Sequence, residues 1–219
     1  SRRLEINLIR RYLDVQAGDR LCDIGSGDGY WMRRITGAAH TTGLDIDWPS
    51  HLAARENLVK NHTEFVMGSA EAMPFEDEFF DKIFGICSVE HIADRESAFA
   101  EIRRCLKVNG VLALTLDSLT YPTTTDAQRA RHHERFFTPH LYDLETVTRC
   151  LEGNGMKLTD YKFIVSTAVG NFIYRMIERR YRLQYPFFLL FYPLILFTDT
   201  FFSANRHGWK LAIRAVRES

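Results

Sequence analysis

At 219 residues the chain has the length of one domain with room for an insertion. Its 28 basic and 28 acidic side chains cancel, and no basic run or aromatic-interleaved basic patch occurs, which excludes a nucleic-acid-binding surface. Cys22, Cys87, Cys105 and Cys150 stand far apart, with no C-x-x-C pair and no histidine cluster at zinc-ligand spacing. With no signal-peptide pattern, they read as reduced core thiols of a cytoplasmic protein.

The sequence starts inside a helical pattern, Leu4, Ile6, Leu8, Ile9 and Leu13 marking a helix over about 2–13. A strand over about 20–24 runs into Asp23 and then into Gly25, Gly27 and Gly29, with a helix expected over about 28–36. Strand two is expected at about 41–45, a helix at about 50–61, strand three at about 63–67, strand four at about 80–86, a helix at about 95–106 and strand five at about 110–116. A long connection over 117–138 follows, of the kind that is functional or mobile inside a compact domain. Thr138 as N-cap and Pro139 at the first helical position predict a helix over about 139–153, stopped by Gly153-Asn154-Gly155. Strand six is expected at about 156–166, and Trp209 to Val216 alternates as a last strand. Such β-α repetition predicts a parallel sheet with helices on both faces, and ligands in such sheets bind at the carboxyl ends of the strands.

The most informative stretch is Leu21 to Gly29, in which an apolar strand meets an acid and then three alternating glycines. Glycines there let the backbone turn tightly and approach a ligand, since no Cβ intervenes. A dinucleotide-binding dehydrogenase would show G-x-G-x-x-G, and here the third glycine comes one residue early. The pattern D-x-G-x-G-x-G resembles the first motif of the class I S-adenosylmethionine-dependent methyltransferases. Further segments match in order: Thr41 to Asp45, Met67 to Phe75, Phe80 to Ile92 and Glu101 to Leu112, with Asn109 where the family usually has proline. An Asn-Gly turn accommodates that departure. The resemblance is closest to the broad group of ubiquinone-pathway and sugar or natural-product methyltransferases.

The resemblance implies an α/β, Rossmann-like, doubly wound and mostly parallel seven-stranded sheet whose last strand is antiparallel. It implies S-adenosyl-L-methionine as cofactor, leaving as S-adenosyl-L-homocysteine. Cofactor-binding positions would be Asp23, Gly25, Ser26, Gly27 and Gly29 in the first turn, Asp45 and Ile46 at the second strand's end, Ser69, Ala70 and Glu71 near adenine, and Cys87 beside the methionine portion. Asp45 would hold the ribose hydroxyls, with Asp47 a second candidate, and Asp23 the ammonium of the amino-acid tail. Transfer to a hydroxyl calls for a base, and His91 and then His133 are the candidates, His133 belonging to the stretch His132, His133, Glu134, Arg135 that leaves strand five. A Glu-His pair such as Glu90-His91 contributes to a divalent-metal site in part of the family; no metal is assigned to it here. N- or C-methylation on the same fold, a methyltransferase-like binding protein without turnover and a nicotinamide-dependent oxidoreductase are the competing readings.

Residues 1–167 and 207–219 form the expected core of one methyltransferase domain, and 168–206 an apolar helical insertion before the last strand. This insertion joins a basic helix, with Arg175, Arg179, Arg180 and Arg182, to an uncharged run from Pro186 to Phe197. A membrane span needs ~20 predominantly apolar residues, and the chain must return to supply the last strand. The insertion is therefore a lid, a homodimer contact or a peripheral element at the inner face of the membrane. Each favours a small-molecule acceptor that is apolar or lipid-linked.

Overall fold

The computed structural model describes residues 2–47, 49–50, 52, 63–179, 193–195, 197–202 and 205–219. One seven-stranded sheet organises them, in the order β3-β2-β1-β4-β5-β7-β6. The strands are β1 Arg20–Ile24, β2 His40–Asp45, β3 Thr63–Met67, β4 Phe80–Ile86, β5 Leu106–Asp117, β6 Met156–Ile164 and β7 Lys210–Arg217. β1 pairs in parallel with β2 and β4, β2 with β3, and β4 with β5. β7 inserts antiparallel between β5 and β6. The carboxyl ends of β1, β2, β4, β5 and β6 thus share one edge.

Successive side chains on these strands face opposite layers, because the strand period is two. Cys22 and Ile24 of β1, Leu112, Leu114 and Leu116 of β5, and Leu211, Ile213 and Ala215 of β7 pack into one core. Helices α2 Arg95–Cys105 and α4 Leu144–Glu152 cover it with Phe99, Ile102, Val147 and Leu151. Leu21, Ala113 and Ala212, the alternate positions, face helix α1 Arg2–Leu13 through Ile9, Tyr12 and Leu13. Asn109 takes a left-handed φ of 63°, as an Asn-Gly turn allows.

Three expectations fail locally. The helix predicted over about 28–36 is only a 3₁₀ turn, Met32–Arg34. Gly29 is spent on the turn at φ 73°, and Gly37 breaks the chain again at φ 107°, leaving too few residues for an α-helical nucleus to be repaid. The connection over 117–138 contains helix α3 Asp126–Phe136, opened by a capping box of Thr125 and Gln128 and closed by left-handed Phe137. Thr138 and Pro139 start no helix: α4 begins at Leu144, where the Asp143 side chain accepts from the Thr146 amide at 2.7 Å. Residues 139–143 instead run along the sheet edge, Tyr142 donating its amide to the Asp117 carbonyl at 3.0 Å. Of the helix expected at about 50–61, residues 50 and 52 are helical and the others fall outside the described residues. Helix α5 Ala168–Arg179 and helical residues 193–195 and 197–201 lie in the segment 168–206.

Candidate functional site

The site forms where β1, β2 and β4 end. Gly25, Gly27 and Gly29 adopt φ of 70°, 51° and 73°, which L side chains reach only with strain. The amides of Gly25 and Ser26 both donate to the Leu44 carbonyl, at 2.8 and 3.2 Å, tying the turn to β2. A Cβ on Gly25 would stand 2.5 Å from Cβ of Ser88, so glycine here lets the first turn meet the turn after β4. The Gly27 amide donates to Oδ2 of Asp45 at 2.7 Å and the Asp47 amide to its Oδ1 at 2.9 Å. Asp45 is thus fixed with one acceptor direction left on each oxygen.

These turns enclose a cavity of about 430 Å³, lined in part by Gly25, Asp45, Ile46, Ser69, Ala70, Glu71, Cys87 and His91. Ile46 is 73% exposed at this cavity. Glu71 accepts from the Asp94 amide at 2.8 Å and from Oγ of Ser69 at 3.3 Å, so the wall is braced against the start of α2. His91 presents its ring to the cavity while Nδ1 lies 3.0 Å from the Phe137 carbonyl. Ser26, Gly27 and Gly29 shape the turn without lining the cavity. His133, on α3, also lies off its wall, with Nδ1 at 2.8 Å from the Thr138 carbonyl.

Asp23 is fully buried beneath the turn, and neither carboxylate oxygen has a hydrogen-bond partner. Burial first, and then Asp45, push its carboxyl well above the usual carboxylate range. The hydroxyls of Ser26 and Ser88 are likewise buried without partners. Buried polar groups are normally satisfied, so three orphans around one turn mark a place built for a polar ligand.

A second polar cluster adjoins the cavity through Cys87, which holds a left-handed φ of 51°. Its thiol donates to Glu5 at 3.2 Å and accepts from Nζ of Lys210 at 2.6 Å. Lys210 also lies 3.4 Å from Glu5 and 3.6 Å from Asp117, and Asp117 Oδ2 meets Nε2 of His132 at 2.7 Å. Glu90 turns inward to accept from the Asp117 amide at 3.2 Å, and its Oε2 has no partner. Burial, then Asp117, push Glu90 up to about 8. Burial alone would raise Asp117 too, but Lys210 and His132 outweigh it and hold that carboxyl low. Ligand atoms of Cys87, Glu90 and Asp117 lie within 4.8 Å of one another, a spacing that suits a cation, and the Lys210 ammonium already supplies one. His91 is not part of this group.

Sequence reading missed Glu5, Asp117 and Lys210. Asp117 ends an apolar strand as Asp45 does, which was a usable signal. Glu5 and Lys210 meet across 205 positions, and nothing local announces such a pair.

Fold, glycine turn and strand-end acids together define one class of protein. Residues 22–114 match the family described as "Methyltransferase domain", and in fold and motif order the chain is similar to the class I S-adenosylmethionine-dependent methyltransferases. Methyltransferase GfsG of Streptomyces halstedii is 32% identical over 109 residues, 47% of this chain and 39% of the relative, so the chain spans about two fifths of that protein. O-methyltransferase rstn1 of Aspergillus nomiae is 27% identical over 157 residues, 69% of this chain and 70% of the relative. Phosphoethanolamine N-methyltransferase 2 of Haemonchus contortus, solved with S-adenosyl-L-methionine, superposes with a TM-score of 0.74 at 19% identity, covering 99% of this chain and 53% of that one.

Proposed function

We propose that the protein transfers the methyl group of S-adenosylmethionine to a hydroxyl of an apolar or lipid-linked acceptor. The observation that carries this reading is Asp23, a buried carboxylate without a partner beside a turn that a Cβ would fill. Such a carboxylate needs a cation, and the ammonium of the cofactor's amino-acid tail fits it in charge, directly or through water. Asp45 accepts the ribose hydroxyls on its two remaining acceptor directions, and Ile46 offers an apolar face to adenine. Ser69, Ala70 and Glu71 border the adenine amine, and Cys87 borders the methionine portion.

When bound, the cofactor supplies a sulfonium-activated methyl whose leaving group is a neutral thioether. The chain's own contribution is therefore mostly positioning and the exclusion of water, effects that supply a large part of the barrier reduction in well-oriented reactions. His91 lines the cavity and takes the acceptor's hydroxyl proton as it becomes acidic. His133 remains the alternative base, reachable by an acceptor entering along α3. The O-methyltransferase relative supports oxygen as the acceptor atom.

Calorimetric titration with S-adenosylhomocysteine, with NADH as control, tests the reading. Wild type binds the former and ignores the latter, and Asp45→Ala weakens binding by about 10- to 100-fold, the effect of losing hydrogen bonds to a charged group. A folded wild type that binds no S-adenosylhomocysteine overturns it. Product analysis with phenolic, sugar and polyprenyl-linked acceptors then distinguishes oxygen from nitrogen and carbon.

A further inference from the structure

Amphipathic helices on a globular core turn their apolar face inward. The helical residues 193–195 and 197–201 do so only in part. Inward go Ile195, Thr198 and Asp199, all buried. Outward go Leu194, Phe197 and Phe201, three and four residues apart on one face, with Phe202 following, and Phe201 and Phe202 are 69% and 70% exposed. The Phe197 ring packs at a tilt against Phe201 and edge-on against Phe202, with centroids at 5.0 and 6.0 Å. The outward face is thus aromatic while the inward one carries a carboxylate.

Asp199 explains why this arrangement holds. Its carboxylate accepts from the amides of Val165, Ser166 and Thr167 at 2.5, 3.1 and 3.2 Å, clamping the segment to the chain between β6 and α5. The phenylalanines cannot roll inward without stripping a buried carboxylate of its donors. On α5, Val169 and Phe172 are exposed as well.

The surrounding charge selects the occupant. In sequence, the stretch that continues α5 carries Arg175, Arg179, Arg180 and Arg182 against one acid, Glu178, and residues 183–198 carry no charge. A second copy of the chain carries the same basic stretch and so offers it no complementary charge. An anionic lipid surface instead complements them while taking up the aromatic rings. The face also lies on the sheet edge that holds the cavity, because β6 runs parallel to β5 and α5 starts directly beyond it.

We propose that the exposed face of α5 and of residues 193–202 docks on an anionic membrane surface and sets the cavity's edge against the bilayer. Docking stands independently of methyl transfer, so S-adenosylhomocysteine titration of the same samples reports on the cofactor site separately. The test is co-sedimentation with phosphatidylcholine vesicles with and without phosphatidylglycerol, alongside sedimentation velocity without lipid. Wild type is expected to be monomeric and to pellet with the anionic vesicles. Replacing phosphatidylglycerol by phosphatidylcholine, or raising the salt, lowers binding by roughly fivefold for each arginine engaged. The Phe201→Asp/Phe202→Asp variant loses about a hundredfold in partitioning and keeps the wild-type affinity for S-adenosylhomocysteine and its melting temperature. Wild type left in the supernatant, vesicle binding indifferent to the two phenylalanines or to lipid charge, or a dimer that the variant dissolves would each overturn the proposal.

Discussion

Asp23 is where a single side chain says most about ligand and stability together. With no donor within reach, its charge is costly in the free protein, and burial favours the protonated form. If the cofactor's ammonium binds beside it as proposed, that preference is reversed, and S-adenosylhomocysteine binding is expected to release a proton from Asp23. Calorimetry at neutral pH in two buffers of different ionisation enthalpy detects this as a difference in apparent binding heat; equal heats would refute it. Asp23→Asn is expected to abolish the difference, to weaken binding by tenfold or more, and to leave the free protein as stable or more so. Gly25→Ala acts through shape instead. Left-handed strain of about 1–2 kcal/mol adds to the 2.5 Å approach on Ser88, for a total near 2–3 kcal/mol in urea melts. Ser88→Gly in the same background recovers the steric part and leaves the strain.

Element boundaries follow their caps more closely than their hydrophobic pattern. Asp143→Ala is expected to cost about 1 kcal/mol through α4. Asp199→Ala removes the acceptor of three buried amides and costs about 2 kcal/mol or more. It speeds hydrogen exchange of the Val165, Ser166 and Thr167 amides without touching those of β1, and uniform acceleration would mean that the clamp is not local. The same dependence on caps explains what could be read in advance. The strands were legible because buried parallel strands are short apolar runs ended by acids or glycine, as at Asp45 and Asp23. Helix α3 was not, since Ala127, Ala130 and Phe136 are its only apolar residues and leave no helical period; only Thr125 and Gln128 betray it. The start of α4 was misplaced because Thr138-Pro139 imitates a cap that Asp143 makes better. In the site, the turn geometry of the glycines and of Asp45 was legible because the contacts that form it are local, whereas Lys210 reaches Cys87 only once β7 has inserted beside β5.

The cluster around Lys210 joins the first helix to the last strand, linking Glu5 of α1, Cys87 and Glu90 beyond β4, Asp117 of β5, His132 of α3 and Lys210 of β7. Its protonation therefore belongs to the stability of the whole fold. Glu90 keeps its proton in the native state up to about pH 8, and gives it up near its ordinary 4.5 when the chain unfolds. Between these values the native protein binds more protons than the unfolded chain, so rising pH removes stability. Below the lower value and above the upper one the Glu90 contribution has no slope. Asp117 does not offset it, since its carboxyl is held low and acts only on the acid side of 3.8. Glu90→Gln keeps the shape and cannot ionise. Its stability relative to wild type should be flat at acid pH, rise steadily from about pH 5 to about pH 8 and then level, the whole rise being at most about 5 kcal/mol, or about 1.4 kcal/mol for each unit between 4.5 and 8. Urea midpoints of the two proteins across that range measure the difference directly. A difference that stays constant with pH would mean that Glu90 is ionised in the native state and that Lys210 compensates two carboxylates besides Glu5.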